Sequence, residues 1–165
     1  MLPLDIAINN CWLVGKDFHA RFGAISRTYQ YRIIQRKDPF LQQMNTFISH
    51  DLDIDVMNSC AEKLMDFKDF TSFSKVHTDV NNFNCEIYSS FWLKKDKQLI
   101  FTIKANRFLR NMVRAIVGTM LMAGKNKIDL NRFCEIINEK NRSSAGASVS
   151  AKGLFLTNVE YPSYE

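Results

Sequence analysis

Residues 105–124, ANRFLRNMVRAIVGTMLMAG, constrain the fold most, because they combine a broad apolar stripe with arginines near its start. A stripe of this width predicts a helix over the whole segment, packed against a sheet. Burying each large side chain is worth roughly 1.5 to 3 kcal/mol. Gly124 is predicted to end the helix in the left-handed conformation. The stripe residues recur in two adjacent columns: Phe108, Leu109, Met112, Val113, Ile116, Val117, Met120 and Leu121.

The three arginines Arg107, Arg110 and Arg114 lie off this stripe. In a helix, Arg110 and Arg114 would be one turn apart on one face. The exposed flank of an amphipathic helix is normally charged and solvated, so this interpretation is favoured on the pattern alone. The alternative is a phosphate-binding patch, because the planar fork of arginine grips phosphate oxygens.

Three other segments have the alternation of β-strands. TYQYRIIQ (28–35) places Tyr29, Tyr31 and Ile33 on one face. IYSSFWLKK (87–95) and QLIFTIKA (98–105) flank a short charged turn, so they are predicted to form an antiparallel hairpin.

Helical spacing predicts a helix over residues 54–66, with Asp53 or Asp55 as its N-terminal cap. A second helix is predicted from Asp129, as its cap, to about Lys140. The segment GLFLTNVEY is predicted to be the last strand. The segment DFKDFTSFSK (66–75) is interpreted as a loop pinned by its phenylalanines. The predicted order is strand, strand, helix, strand, strand, helix, helix, strand. This order indicates an α+β fold with an antiparallel β-sheet and helices packed on one face.

Composition is compatible with a single domain over residues 1–165, since 46% of the residues are hydrophobic and no repeat or linker is evident. The net charge of +5 permits a polyanionic partner without requiring one. The cysteines are far apart and form no CxxC pair, so no zinc site is expected and the thiols are predicted to be reduced and mostly buried: Cys11, Cys60, Cys85 and Cys134. Without a signal peptide or a membrane-length apolar run, an intracellular protein is expected.

Two residues have both a structural and a functional interpretation. Tyr29 is either a core tyrosine with a satisfied hydroxyl or a platform on which a nucleobase stacks. His19 is either structural or a general base. No carboxylate pair, metal-ligand spacing or Ser/His/Asp arrangement is evident, so spacing alone indicates no catalytic group.

Four blocks of sequence nevertheless resemble TruA-type tRNA pseudouridine synthases, in the order and at spacings plausible for that family. The resemblance implies a pseudouridine synthase-like fold and isomerisation of uridine to pseudouridine in the anticodon stem-loop of tRNA. It implies no cofactor and no metal, a cytoplasmic location and a homodimer in the full-length protein. The blocks are DFHARFGAISRTYQYRI (17–33), DFTSF (69–73), ANRFLRNMVRAIVG (105–118) and AKGLFLTNVEYP (151–162).

The resemblance also implies roles for individual residues. Arg114 would reach the active-site cleft and Tyr29 would contact the target uracil as supporting catalytic residues, while Leu154 would make an apolar contact to the base. The base must leave its stack, which explains the aromatic partner and the grip on the backbone. The arginines expected to help hold the RNA are Arg21, Arg27, Arg107 and Arg110.

Two departures from the family pattern limit this interpretation. The nucleophilic aspartate of the family lies in an Arg-Thr-Asp-Ala-Gly motif, which this sequence lacks, and Asp17, Asp69 and Asp79 are in other contexts. The chain is therefore expected to be the C-terminal half of such an enzyme and inactive alone. In addition, VNNFNCEI (80–87) lacks an arginine that relatives commonly place there, and the neighbouring Lys75 is the candidate substitute.

Two alternatives remain open. The first is a non-catalytic RNA-binding module that has lost the reactive half. The second is a plain structural domain with an incidental basic face. Salt-dependent tRNA binding fits a synthase and a binding module equally, since phosphate contacts produce that dependence with or without chemistry.

Overall fold

The structure is a computed structural model and describes residues 2–75 and 82–162. Its elements follow the predicted order of strands and helices. Single-turn 3-10 helices lie at Gln42–Met44, Leu64–Asp66, Thr71–Phe73 and Ala151–Gly153. The main elements are β1 (Ser26–Ile34), β2 (Thr46–Phe47), α1 (Ile54–Lys63), β3 (Ile87–Lys95), β4 (Gln98–Ala105), α2 (Met112–Gly124), α3 (Leu130–Asn138) and β5 (Leu154–Glu160).

β1 is the centre of a five-stranded sheet. One of its edges pairs with β4, which in turn pairs with β3 in the predicted antiparallel hairpin. Two strands pair with its other edge. β5 pairs antiparallel with the first part of β1, and this pairing ends where Leu154 lies opposite Tyr31. Beyond that point, β2 pairs with Ile33 and Ile34. The β2 pair is parallel, so the expectation of a wholly antiparallel sheet is wrong at this one edge.

The main core lies between one face of the sheet and the helices. Alternate residues of β4 are buried, as a half-buried strand requires, and Tyr31 and Ile33 of β1 are fully buried beside them. The same buried cluster includes Met57 of α1, Ile116 of α2 and Phe133 of α3. The predicted α+β fold with helices on one face is confirmed.

Asp53 and Asp129 cap the N-termini of α1 and α3, as predicted. Asp53 accepts a hydrogen bond from the backbone nitrogen of Val56 at 3.0 Å, and Asp129 accepts one from that of Arg132 at 2.7 Å. The loop after α1 is held by its aromatic residues as predicted, because Phe70 and Phe73 are fully buried.

The predicted start and end of α2 are wrong. Strand β4 continues to Ala105, and Asn111 has a φ of 70°, in the left-handed region, so the helix begins only at Met112. Arg107 and Arg110 therefore precede the helix. Gly124 is the last helical residue rather than a left-handed cap. A Cβ at Gly124 would lie 2.5 Å from the sulfur of Met57, so a larger residue there requires the Met57 side chain to move.

The cysteines are free thiols with different environments. Cys60 and Cys85 are buried as expected, and desolvation is the largest influence on each, raising their pKa values to about 12 and about 11. Cys134 is half-buried and Cys11 is exposed. Within residues 2–75 and 82–162, no helix has the length and apolar character needed to cross a membrane.

Candidate functional site

A cavity of about 870 Å³ opens beside the start of α2, where the helix meets the loop before β5. Four of its seven lining residues are cationic, and among the described residues no carboxylate lines it. A concave surface with charge of one sign concentrates ligands of the opposite sign. The lining residues of this cationic pocket are Lys75, Arg110, Asn111, Arg114, Arg142, Ala151 and Leu154.

The segment before α2 brings Arg110 to the pocket through a turn rather than through a helical face. Asn111 adopts the left-handed conformation, which asparagine tolerates better than most residues. The backbone nitrogen of Lys75 donates to the carbonyl of Arg110 at 3.0 Å, so the DFTSF loop is fastened to the same turn. Two loops distant in sequence thus contribute neighbouring cations.

The side chain of Arg114 is held by the loop that precedes β5. Its Nε donates to the carbonyl of Val149 at 2.6 Å. The backbone nitrogen of Val149 donates back to the carbonyl of Arg114 at 3.2 Å. The first bond ties the guanidinium group to the loop of residues 141–150, and the second ties the backbone of α2 to it.

Tyr31 anchors the end of that loop. Its hydroxyl donates to the carbonyl of Ser150 at 2.7 Å and is 2.7 Å from the hydroxyl of Thr46. A tyrosine hydroxyl has one proton, so Thr46 must donate in the second contact. Burial raises the pKa of Tyr31 above its usual 10, although the Thr46 hydrogen bond and the charge of Arg114 oppose this rise.

The loop also lies unusually close to α2. A Cβ on Gly118 would overlap the carbonyl oxygen of Ala147, so only glycine allows the two backbones to touch here. The backbone nitrogen of Gly146 donates to the hydroxyl of Thr119 at 2.9 Å. The helix and the loop therefore form one packed unit behind the pocket.

Of the sequence-predicted site residues, the pocket brings together Arg110, Arg114 and Leu154. Tyr29 is not among the lining residues. It is half-buried, with its ring edge-to-face against Phe108 at 5.1 Å between centroids, and it pairs with Leu156 across β5. Tyr29 lies two residues before Tyr31 on the same face of β1.

Arg21, Arg27 and Arg107 also lie outside the pocket lining. Arg27 donates to the carbonyls of Ala24 at 2.9 Å, Asn106 at 2.7 Å and Arg21. Arg107 donates to the Oδ1 of Asn82 at 3.4 Å.

The structural interpretation of His19 is favoured. Its Nδ1 accepts hydrogen bonds from the backbone nitrogens of Arg21 at 3.1 Å and Phe22 at 3.2 Å. These bonds stabilise a turn. Nothing in this arrangement requires His19 to act as a base.

Of the aspartates that the sequence offered, the two that the structure describes, Asp17 and Asp69, do not supply the pocket with a carboxylate. Asp69 pairs with Lys140 at 2.9 Å and accepts a hydrogen bond from the hydroxyl of Thr71 at 2.6 Å. Asp17 does not line the pocket. Asp79, with the first two residues of the 80–87 segment, lies outside the described residues. Within the described part of the chain, no cluster of histidine, cysteine and acidic residues is arranged to hold a metal ion.

Sequence reasoning missed Arg142 and Asn111 as lining residues. Arg142 lies in a polar loop with no periodicity, so no local signal marks it. Asn111 carried a weak signal, because asparagine is one of the few residues other than glycine that adopt the left-handed conformation readily.

The comparisons with known proteins agree on one family. A family model described as tRNA pseudouridine synthase matches residues 61–162, more than half of the chain. The chain is 46% identical over 162 residues to tRNA pseudouridine synthase A of Parabacteroides distasonis, covering 98% of this chain and 64% of the relative. It is 48% identical over 163 residues to the protein of that name from Bacteroides fragilis, covering 98% and 65%.

A more distant relative, tRNA pseudouridine synthase A of Staphylococcus aureus, is 32% identical over 160 residues, covering 96% of this chain and 60% of the relative. The chain thus spans less than two thirds of the length of these three relatives.

Proposed function

We propose, because this chain belongs to the tRNA pseudouridine synthase family, that the protein carrying it isomerises uridine to pseudouridine in tRNA. The observation that carries the proposal is the cationic pocket beside α2, in which Arg114 and Leu154 lie together. The cations suit a polyanionic RNA backbone, and the leucine suits the face of a base. The anticodon stem-loop is the proposed location of the uridines.

Arg114 is proposed as the central residue of the pocket. Its guanidinium is oriented by the Val149 carbonyl, so it is positioned before substrate arrives. Leu154 is proposed to contact the extruded base. Tyr29, which lies outside the pocket lining, is proposed to contact the uracil from the adjoining part of β1.

The remaining arginines are proposed to hold RNA around the pocket. Arg110 lies at the pocket itself, and outside it Arg21 is exposed and Arg107 is half-buried. Arg27 is also proposed to contact RNA. Its hydrogen bonds to backbone carbonyls stabilise the fold as well. Phosphate contacts of this kind make binding weaken as salt rises.

The reaction needs a carboxylate beside the ribose, and this sequence lacks the Arg-Thr-Asp-Ala-Gly motif that supplies it in the family. We propose that the nucleophilic aspartate comes from sequence outside these 165 residues, and that the chain alone forms no pseudouridine. A homodimer and a cytoplasmic location are proposed for the complete protein, because the family resemblance implies both.

An assay on unmodified tRNA tests these proposals. The transcript is incubated either with the protein from the complete reading frame that contains this sequence or with the 165-residue chain, and pseudouridine is measured by mass spectrometry after nuclease digestion. We expect product from the first and none from the second.

Each outcome has a clear consequence. If the complete protein binds tRNA without forming product, the synthase function is overturned and the RNA-binding module takes its place. If the 165-residue chain forms product, the nucleophile lies within it and our assignment of the aspartate to other sequence is wrong.

A further inference from the structure

We propose that Arg142 is a positioning residue, which orients Arg114 by fixing the loop that carries the Val149 carbonyl. Arg142 lines the pocket, but its side chain is directed largely into its own loop. Its Nη1 donates to the carbonyls of Ala145 at 3.4 Å and Gly146 at 3.1 Å. Its Nη2 donates to the hydroxyl of Ser148 at 2.8 Å. Arg142 therefore braces the turn from within.

Ser148 transmits this bracing to the helix. Its hydroxyl oxygen also accepts a hydrogen bond from the Nδ2 of Asn111 at 2.5 Å. A serine hydroxyl has two acceptor lone pairs, and Asn111 and Arg142 use both. The next residue is Val149, whose carbonyl accepts the Nε proton of Arg114. A connected path thus runs from Arg142 through Ser148 and Val149 to Arg114.

Other anchors of the loop do not involve Arg142. The backbone nitrogen of Gly146 is bound by Thr119, and the carbonyl of Ser150 is bound by Tyr31. Between these points Ser148 also keeps its bond from Asn111, and the nitrogen of Val149 keeps its bond to the carbonyl of Arg114. Loss of the Arg142 side chain should therefore leave the loop attached but loosen the stretch between Gly146 and Ser150, where three of its hydrogen-bonded contacts disappear. Val149 lies in that stretch, so Arg114 is the residue that loses its orientation.

The competing interpretation is that Arg142 binds an RNA phosphate directly. Against it, three of the five N–H donors of the guanidinium are already used within the loop. The guanidinium group therefore mainly positions the carbonyl and hydroxyl groups of its own loop. The two interpretations differ in what happens to Arg114 when Arg142 is replaced.

The first test uses the chain itself and needs no enzymatic activity. In a proton–nitrogen NMR spectrum, the Nε–H signal of Arg114 is assigned by its disappearance in Arg114→Lys, and its exchange with water is measured. Arg142→Met keeps the length of the side chain and removes its donors. We expect exchange at Arg114 to accelerate at least tenfold in Arg142→Met. Arg132→Met, an exposed change on α3, should leave it unchanged.

Unchanged exchange in a folded Arg142→Met overturns the proposal. If Arg142→Met does not fold, Ser148→Ala provides the second test, because it removes the acceptor that Arg142 and Asn111 share. The same acceleration is expected there, and its absence in folded Ser148→Ala would equally overturn the proposal.

The second test rests on the proposed function and uses the complete protein with tRNA. Arg142→Met should lower kcat about ten- to hundredfold with a small change in KM, because misplacing a reacting group by about 1 Å has effects of this size. Combined with Arg114→Ala, it should add little further loss, since both changes remove the same contribution. Fully additive losses would overturn the positioning role and indicate a direct contact with RNA. A wild-type protein without activity would reject the proposed function but leave the exchange result standing.

Discussion

Arg114 and Val149 are joined by two hydrogen bonds beside the pocket: the Nε of Arg114 donates to the Val149 carbonyl at 2.6 Å, and the Val149 nitrogen donates to the carbonyl of Arg114 at 3.2 Å. The pair joins the first turn of α2 to the loop just before β5. Two sequence blocks that are about 35 residues apart are thereby fixed to each other. The orientation of the arginine is therefore a property of the loop as much as of the helix.

Gly118 is predicted to be essential for the contact between α2 and this loop. In Gly118→Ala, the new methyl group overlaps the carbonyl of Ala147, so the backbones must separate. We expect a loss of about 1 to 3 kcal/mol in the free energy of unfolding, measured by urea denaturation. Gly15→Ala is the matched control, because a Cβ there meets nothing within 4 Å. Equal urea midpoints for the two variants would contradict the close contact.

Ser72, in the DFTSF block, is predicted to stabilise the start of the same loop. Its buried hydroxyl donates to the carbonyl of Ile136 at 2.6 Å and accepts from the nitrogen of Asn141 at 3.0 Å. Ser72→Ala leaves both groups unpaired and should lower the free energy of unfolding by about 1 to 3 kcal/mol. Ser59→Ala, which removes an exposed hydroxyl on α1, should change it by less than about 0.5 kcal/mol. Similar thermal denaturation curves for both would refute the role of Ser72.

Asp69 is predicted to contribute to stability above its own titration range. Burial by itself raises its pKa, but hydrogen bonds from Lys140 and Thr71 outweigh this and hold the pKa below 3.8. A carboxyl whose pKa is lower in the folded state stabilises the protein above the unfolded-state pKa. That contribution is lost as the pH falls through the folded-state pKa. Stability measured against pH should therefore decline below about pH 3.8.

The matching variant is Asp69→Asn. It should be less stable than wild type at about pH 6, by about 1 kcal/mol or less because the pair is partly exposed, and the difference should shrink as the pH falls through the folded-state pKa of Asp69. Asp66→Asn breaks the more exposed pair with Lys63 and should have a smaller effect. A difference between Asp69→Asn and wild type that is constant with pH would show that the carboxylate charge is not responsible.

Tyr29 is predicted to act through its ring. Tyr29→Phe keeps the edge-to-face contact with Phe108, so stability should change by less than about 0.5 kcal/mol and stacking on a base should persist. Tyr29→Leu loses the aromatic contact, which is worth about 0.5 to 1.5 kcal/mol. Denaturation midpoints of the two variants provide the comparison. A fall for phenylalanine as large as that for leucine would point instead to the hydroxyl.

The strands and the two shorter helices were predictable because their patterns are local. Alternation along β4 matches its buried face, and along β1 it matches at Tyr31 and Ile33, although Ile34 of the other face is buried as well. Aspartates precede α1 and α3 at the positions where caps belong. The family blocks added the placement of Arg114 and Leu154, which the pocket then brings together. The periodicity of the sequence alone did not predict that these two residues are close together.

The start of α2 was not predictable from periodicity. Phe108 and Leu109 fit the helical stripe in sequence, yet they pack from a turn, because Asn111 reverses the chain just before the helix. The parallel pairing of the two-residue strand β2 depends on which edge of β1 remains open beyond β5. Arg142 reaches the pocket only through the tertiary placement of its loop. Each of these features is decided by contacts between distant segments.

The most direct measurement of the central claim is the single-turnover rate of pseudouridine formation by the complete protein, compared between Arg114→Ala and the control Arg132→Ala. Arg132 forms exposed ion pairs with Glu135 and Glu139 on α3. If the pocket around Arg114 is part of the active site, Arg114→Ala should be slower by about a hundredfold or more, and Arg132→Ala should stay within about twofold of wild type. Equal rates for the two variants would contradict the account.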